Sequence, residues 1–200
     1  MKKIALALVL IFSASPLLAQ TKALSLAEIS TYLNSLKTAE ATFAQTNDDG
    51  SKSTGRLYLK RPGRMRLEYD PPVESVVVAG AGAVVIFDPK SNHRSAETYP
   101  LRRTPLSIIL KKNVDLGAAN MVVGHRFDGR ATVVTAQDPK HPDIGQIELI
   151  FDHNPTRLSR WVIHDGTGAQ ITVNLSELET GMNLHASLFN TREFIKNPVR

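Results

Sequence analysis

The sequence predicts a mostly antiparallel β protein with a few helices. From about residue 41 onward, apolar and polar residues alternate with period two, and turn signals separate the alternating runs. We count about ten such runs, at the spacing typical of an antiparallel barrel or sandwich. No internal repeat or linker interrupts them, so residues 20–200 are predicted to form one domain.

The start of the chain has the pattern of a secretory signal peptide. Lys2 and Lys3 precede an apolar run from Ile4 to Phe12, and cleavage is expected after Ala19. The apolar run is well short of the ~20 residues that cross a bilayer as a helix. We therefore expect residues 1–19 to be removed and the mature chain to lie beyond the inner membrane.

A capping box predicts the first helix. Ser25 and Glu28 have the spacing at which each side chain satisfies a backbone donor at a helix start. Apolar residues then recur on one helical face: Leu26, Ile29, Leu33 and Leu36. We predict an amphipathic helix of roughly residues 26–38, whose stripe packs on an apolar surface.

The clearest hairpin signal follows. The runs Arg56–Lys60 and Arg64–Asp70 alternate apolar with charged residues, and Pro62-Gly63 suits the centre of a type II turn. A second hairpin is predicted from Val76–Val78 and Ala83–Phe87. Both of its strands are apolar on both faces, so each face requires a cover.

A short, very apolar helix is predicted in mid-chain. Thr104 is the expected N-cap, Pro105 the first helical residue, and Leu106–Leu110 is almost pure hydrocarbon. Basic pairs bracket it, Arg102-Arg103 before and Lys111-Lys112 after. Because such a helix is too apolar for the surface of a soluble protein, we expect it to fill a space inside the sheet.

Residue patterns for catalysis or metal binding are missing from the sequence. None of the six histidines has metal-site spacing, the chain has no cysteine, and no Gly-x-Ser-x-Gly motif occurs. We therefore predict no catalytic residues, no metal, no cofactor and no enzymatic activity. The net charge of +5 is mild, and Tyr58 alone alternates with basic residues, so nucleic acid is not an expected partner.

A curved sheet covered by helices can pack shut or enclose a ligand cavity. The residue patterns leave both possibilities open and favour the packed core. A resemblance shifts that balance.

Motifs in order along the chain carry the resemblance. Phe43-Ala44-Gln45 is followed by a glycine-led strand from Gly55 to Arg61-Pro62-Gly63, and then by an arginine-rich strand that ends at Tyr69 and Pro71. Further matching motifs are Phe87-Asp88-Pro89, Thr104-Pro105-Leu106, Gly145–Leu149, Trp161, Asp165 with Gly168, and Leu188-Phe189. Together they resemble the outer-membrane lipoprotein carrier protein (LolA) family over essentially the whole mature chain.

The resemblance implies an unclosed antiparallel β-barrel of about ten or eleven strands, with a helical lid over an apolar cavity. It implies a monomeric periplasmic carrier that holds the acyl chains of lipoproteins. Its partners would be an ATP-driven inner-membrane release complex and an outer-membrane lipoprotein acceptor. In the family, the arginine of the Arg-Pro turn hydrogen-bonds to the lid and keeps it closed, and Arg61 occupies that position.

We expect the cavity to be lined by apolar residues of the sheet and of both helices. The candidates are Leu33, Met65, Leu67, Tyr69, Val76, Val78, Val85, Phe87, Leu106, Ile109 and Leu110. The strand register is uncertain, because a shift by one residue exchanges the two faces. Two other classes remain open: a regulatory or scaffolding module with the same fold that binds envelope proteins or other lipids, and a hydrolase whose site assembles from distant residues.

Overall fold

One antiparallel sheet runs through the protein. The computed structural model describes residues 22–90, 96–104, 106–118 and 120–196, so the predicted signal peptide lies outside the described residues. Within them, no helix is long and apolar enough to cross a membrane. The first strands in chain order are β1 (Thr38–Thr46), β2 (Lys52–Lys60), β3 (Arg64–Tyr69), β4 (Val76–Gly80), β5 (Ala83–Phe87) and β6 (Glu97–Pro100). The remaining strands are β7 (Val122–Phe127), β8 (Thr132–Gln137), β9 (Gly145–Asp152), β10 (Arg157–Asp165), β11 (Gln170–Leu175) and β12 (Glu179–Thr180).

The strand order shows that the sheet is not closed. Its path is β6-β5-β4-β3-β2-β1-β11-β10-β9-β8-β7, with β12 beside β1. Because β6 and β7 end the path without pairing to each other, the unclosed antiparallel architecture is confirmed. The path holds eleven strands, within the predicted range, and β12 is a twelfth strand beside it. The two-residue β12 is too short to show alternation in the sequence.

The helices are short: α1 (Leu26–Ser35), α2 (Ser107–Leu110) and α3 (Arg192–Lys196), with 3-10 turns at Leu101–Arg103, Pro142–Ile144 and Ala186–Phe189. The capping box of α1 is confirmed, since Ser25 Oγ accepts from the Glu28 amide and Glu28 accepts from the Ser25 amide. The helix ends three residues earlier than predicted. Leu36 is extended, and Thr38 already pairs with Lys60 in the sheet.

The predicted N-cap of α2 is wrong. Leu106 occupies that position, and the helix has no side-chain cap. The Thr104 hydroxyl instead donates to the Leu101 carbonyl at 2.9 Å, which ties it to the preceding 3-10 turn. The apolar content of α2 nevertheless places it inside as expected, with Ile108, Ile109 and Leu110 all buried.

Along the strand path, β6 to β1 form one half of the sheet and β11 to β7 the other. Helix α1 bridges these two halves. Just before it, the Leu24 amide donates to Thr132 Oγ1 at 2.7 Å, and His125 Nε2 hydrogen-bonds to the Leu24 carbonyl at 2.8 Å. Both partners belong to β7 and β8, at one end of the strand path. The other end of the helix lies against the β2–β3 hairpin, where Arg61 contacts Leu36.

We call the sheet face that packs against α1 and α2 the inner face, and its reverse the outer face. The pairing of Met65 with Ala79 and of Leu67 with Val77 fixes which β4 residues point inward. Val77 pairs in turn with Ile86 of β5. Val76, Val78, Val85 and Phe87 therefore lie on the outer face, so their predicted orientation toward the cavity is wrong. Uniformly apolar strands carry no alternation from which to choose a face.

The outer face of β4 and β5 has its own cover, the C-terminal segment 181–196. Leu184 and Phe189 of this segment pack on Val78. The backbone approaches so closely that a Cβ on Gly80 would lie 2.5 Å from the Phe189 carbonyl oxygen. Arg66 donates to the Leu188 carbonyl at 3.1 Å. The doubly apolar hairpin is thus covered on both faces, as its sequence requires.

Candidate ligand cavity and its lid

The inner face holds three of the predicted lining residues of β3. Met65 and Leu67 are buried in the main core, and Tyr69 is half-buried against it. We use the name lid for α1, α2 and the segment 111–116. The lid contributes Leu33 of α1 together with Ile109 and Leu110 of α2, all buried in the same core, and Leu106 packs at the edge of that core. The structure therefore brings together seven of the predicted side chains around one apolar interior.

The sequence missed several residues that complete this interior. On β4 and β5 the inward positions are Val77, Ala79, Val84 and Ile86. The second half of the sheet adds large fully buried side chains, including Leu149, Phe151 and Trp161. Alternation in β9, with Ile147, Leu149 and Phe151 on one face, is a signal from which this half of the lining can be found.

The lid fills the interior in this structure. Ile29 and Leu33 of α1 are 0% and 1% exposed, and Leu110 of α2 is 2% exposed. These side chains belong to the same apolar cluster as Met65 and Trp161, so they occupy the space between the two halves of the sheet. A ligand that enters this space must displace them.

The motif residues at the base of β1 to β3 form one contact group. The Phe43 ring lies over Gly55, where a Cβ would approach Phe43 Cζ to 2.7 Å. Tyr69 stands edge-on to Phe43 with ring centroids 5.0 Å apart, and its hydroxyl donates to Gln45 Oε1 at 2.6 Å. Burial raises the pKa of Tyr69 to about 12. The spacing Phe-x-Gln, Gly and Tyr thus encodes a packed corner of the inner face.

Arg61 connects both helices of the lid to the β2–β3 hairpin. Its guanidinium donates to the carbonyl of Leu36 at 3.4 Å, at the end of α1, and to the carbonyl of Lys111, directly after α2. A longer contact of 3.5 Å joins it to Asn34 Oδ1. Arg61 is only 9% exposed, and burial lowers the pKa of its guanidinium.

The main chain of the same hairpin adds two bonds to the lid. The Arg61 amide donates to the Lys37 carbonyl at 2.8 Å, and the Gly63 amide donates to the Leu110 carbonyl at 2.8 Å. None of the ion pairs among the described residues involves Arg61, and its buried Nε has no hydrogen-bond partner there. The positive charge is therefore stabilised by carbonyl and amide oxygens alone.

Polar residues of α1 join the two parts of the lid to each other. Asn34 forms a pair of bonds with Val114, donating to its carbonyl at 2.8 Å and accepting from its amide at 2.9 Å. The buried Ser30 hydroxyl accepts from the Leu116 amide at 3.0 Å. No local signal in the sequence indicates this role of Ser30 and Asn34, because their partners lie 86 and 80 positions away.

A groove of about 420 Å³ lies where the two ends of the strand path approach each other. Leu101, which follows β6, and Met121, which precedes β7, both line it, together with Leu110 of the lid. Apolar surface predominates in its wall. This groove is a direct route from solvent to the lid.

The described residues hold no grouping of three histidine or acidic side chains that could bind a metal ion. Several carboxyl groups with lowered pKa values sit in turns and caps. Asp165 accepts from Thr167, and Asp128 from the amides of Ala131 and Arg130, and each of these bonds lowers the pKa of the carboxyl. These hydrogen bonds stabilise the local backbone of the two turns.

Comparison with known proteins supports the family resemblance that the motifs indicate. Residues 34–192 match the family described as Outer membrane lipoprotein carrier protein LolA. An outer-membrane lipoprotein carrier protein of Legionella pneumophila (strain Paris) is 28% identical over 200 aligned positions, which cover 94% of each chain. The protein of the same description from Chromohalobacter salexigens is 27% identical, covering 88% of this chain and 86% of its own.

Solved structures align with this chain at low identity. A domain from Vibrio parahaemolyticus, provisionally described as an outer membrane lipoprotein-sorting protein, aligns with a TM-score of 0.50 and 12% identity over 84% of this chain and 96% of its own. A LolA superfamily protein from Nitrosomonas europaea aligns at 0.45 and 10%, over 85% and 99%. The first of these supports the shared fold. With the family match covering most of the sequence, the chain belongs to the outer membrane lipoprotein carrier protein LolA family.

Proposed function

We propose that this protein is a periplasmic carrier that holds the acyl chains of lipoproteins between the inner face of its sheet and the lid. The observation that supports this most directly is the construction of the interior. Aliphatic and aromatic side chains line the inner face, and short lid segments cover it. The polar bonds between the lid and the β2–β3 hairpin converge on the loop that contains Arg61.

Transfer requires that binding be limited in strength. Burial of hydrocarbon contributes ~0.8 kcal/mol per methylene. Several acyl chains buried completely would exceed the range of about −18 to −21 kcal/mol at which non-covalent affinity saturates. Because Leu33, Ile109 and Leu110 already occupy the interior, loading would cost their packing. That loss would keep the complex weak enough for release.

Arg61 is the proposed latch of the closed state. Its bonds to Leu36 and Lys111 hold both lid helices at once, and the lid segments are bonded to each other through Asn34 and Val114. Opening would therefore release the lid as one unit. The carbonyls left behind would face solvent, so their desolvation cost would not persist in the open form.

The route of the cargo is part of the same proposal. The protein would receive lipoproteins from an ATP-driven release complex in the inner membrane and deliver them to an acceptor in the outer membrane. It would act as a monomer, without a cofactor and without catalysis. The names of its relatives support lipoprotein carriage, and the two membrane partners follow from the resemblance alone.

The decisive experiment is mass spectrometry of the protein purified from the periplasm under native conditions. We expect acylated peptides or lipoproteins to accompany it at defined stoichiometry. A stoichiometric protein partner with no lipid would contradict the carrier and identify a scaffolding module instead. Chemical turnover of a bound lipid would identify an enzyme.

A direct binding measurement gives an independent answer. A triacylated peptide should displace an environment-sensitive fluorescent acyl probe from the purified mature protein, while the same peptide without acyl chains should not. Failure of both peptides to displace the probe would contradict binding of acyl chains in the interior.

A further inference from the structure

The groove at the gap in the sheet is surrounded by basic side chains. Arg102 and Arg103 follow β6, and Lys111 and Lys112 follow α2, and all four are exposed. Arg102 and Lys111 line the groove directly. Arg103 lines a smaller adjoining pocket together with Met121 and Ile108.

These four cations have no acidic partners in the part of the chain that the structure describes. None of them occurs in its ion pairs. Three carboxylates close to them in sequence or in the groove wall accept local hydrogen bonds. Glu97 accepts from the Tyr99 hydroxyl at 2.7 Å, Asp115 from the Ala118 amide at 3.0 Å, and Asp138 from the Lys140 amide at 2.9 Å. Asp138 also lines the groove, so the four basic side chains outnumber the one carboxylate in its wall.

Exposed apolar side chains lie close in sequence to the residues that line the groove and its adjoining pocket. The large hydrophobic residues most exposed among those described are Tyr99 at 45%, Val123 at 56% and Ile144 at 36%. Tyr99 is two residues before Leu101 of the groove, and Val123 is two residues after Met121. Ile144 lines the adjoining pocket with Met121. Elsewhere in the described chain, large apolar side chains are at least partly covered.

We infer that this rim docks the protein on the surface of an anionic lipid bilayer. The rim consists of Arg102, Arg103, Lys111 and Lys112 with Tyr99, Val123 and Ile144. Unpaired cations attract anionic headgroups, and exposed tyrosine and aliphatic side chains enter the interfacial layer of a membrane. Arg102 and Lys111 of this combination line the groove that reaches Leu110 of the lid. Docking would thus turn the lid toward the bilayer.

The use of such docking rests on the proposed carrier function, whereas the binding itself does not. A carrier whose lid faces the membrane surface would meet acyl chains where they leave the bilayer. The net charge of the whole chain is only +5, so the attraction would come from the local rim and would be reversible.

Co-sedimentation of the mature protein with large vesicles tests the inference. We expect binding to phosphatidylcholine vesicles that contain phosphatidylglycerol, and much weaker binding to phosphatidylcholine alone. Binding should decline as salt is raised, because exposed charges are screened. The variant with Arg102, Arg103, Lys111 and Lys112 all changed to Gln should bind at least about a hundredfold more weakly, since each cation near the surface contributes roughly fivefold.

A matched variant controls for the loss of net charge. Lys22, Lys52, Lys90 and Arg192 are exposed cations outside the rim, and their replacement by Gln removes the same four charges. This control should bind anionic vesicles almost as the unchanged protein does. Equal losses in the two variants would overturn the inference, because binding would then follow net charge and not the rim.

Two further outcomes would also overturn it. One is that the unchanged protein binds neither kind of vesicle. The other is that the rim variant keeps vesicle binding but loses a complex with an acidic protein, which would make the rim a protein interface. Displacement of the acyl probe is measured without vesicles. If the protein binds vesicles but not the acyl probe, the docking inference survives and the carrier function does not. If the protein binds the acyl probe but not vesicles, the carrier function survives and the docking inference does not.

Discussion

The lid on the inner face and the C-terminal segment on the outer face cover the same strands in different ways. Each cover is held by an arginine that donates to its main-chain carbonyls, Arg61 for the lid and Arg66 for the C-terminal segment. Arg66 also pairs with Glu68 at 2.6 Å and lies 5.5 Å from the centre of the Phe194 ring. Arg61 has carbonyl and amide acceptors only.

This difference separates a cover suited to opening from one suited to staying closed. The C-terminal segment approaches Gly80 so closely that no other residue fits there, and the Arg66 that bonds to it is paired with Glu68. The lid buries a cation without a counter-ion, which lowers the advantage of the closed state. We therefore expect changes to the outer cover to affect stability alone, and changes to the lid to affect stability and binding in opposite directions.

The largest effect is expected on the outer face. Phe189→Ala removes a side chain that is 5% exposed and packed on Val78, and should lower the free energy of unfolding by about 3 kcal/mol. Chemical denaturation measures this loss. Affinity for the acyl probe, corrected for the folded fraction, should not change. A large change in affinity would mean that the two covers are coupled and would break the comparison.

The matching change in the lid is Leu110→Ala. Leu110 is 2% exposed, so its truncation should cost about 2 kcal/mol of stability. Because Leu110 would no longer compete with the ligand for the interior, the affinity for the acyl probe should rise. Weaker binding in this variant would show that Leu110 contacts the ligand and does not merely give way to it.

Arg61→Leu tests the latch. Loss of the guanidinium leaves the carbonyls of Leu36 and Lys111 without their donors in the closed form, at a cost of about 1–2 kcal/mol. The lid should open more readily, and a loaded protein should discharge its cargo poorly to an acceptor. Arg64→Leu is the control, because Arg64 is exposed on the same hairpin. Unchanged transfer in Arg61→Leu would remove Arg61 from the mechanism.

The smallest effect concerns Tyr69 on the inner face. Burial raises its pKa to about 12, above the ordinary value of 10.0, so the neutral phenol stabilises the folded state. This contribution is complete below pH 10.0 and is lost as the pH rises through about 12. Tyrosinate absorbance should show tyrosines that titrate late, Tyr32 and Tyr99 among them, and Tyr69→Phe should remove one of these at a cost of about 1 kcal/mol. A tyrosine population that titrates uniformly near 10 would contradict the buried position.

Elements with a local signal were predictable from the sequence. The capping box set the start of α1, and alternation together with Pro62-Gly63 set the β2–β3 hairpin, where Gly63 adopts a φ of +72°. Met65 and Leu67 face inward as their alternation with arginines indicates. In these segments, the residues that choose the structure are close together in the chain.

Features that depend on distant contacts were not predictable. Val76 and Val78 differ from Val77 only in the strand that pairs with them, and no pattern within the run chooses the face. The bonds from Asn34 to Val114 and from Ser30 to Leu116 join residues about eighty positions apart. The sequence required a second cover for the β4–β5 hairpin but could not identify the C-terminal segment as that cover.

The anchoring of α1 determines how the lid can move. Its leading end is pinned through Leu24 to Thr132 and His125, on the strands at one border of the sheet. Its trailing end is joined through Leu36 and Lys37 to β1, where Thr38 pairs with Lys60, and Arg61 bonds to both linking residues. If the Arg61 side chain releases Leu36 and Lys111, α1 would rotate about its two anchored ends and carry the segment 111–116, to which Asn34 bonds it, away from the β2–β3 hairpin.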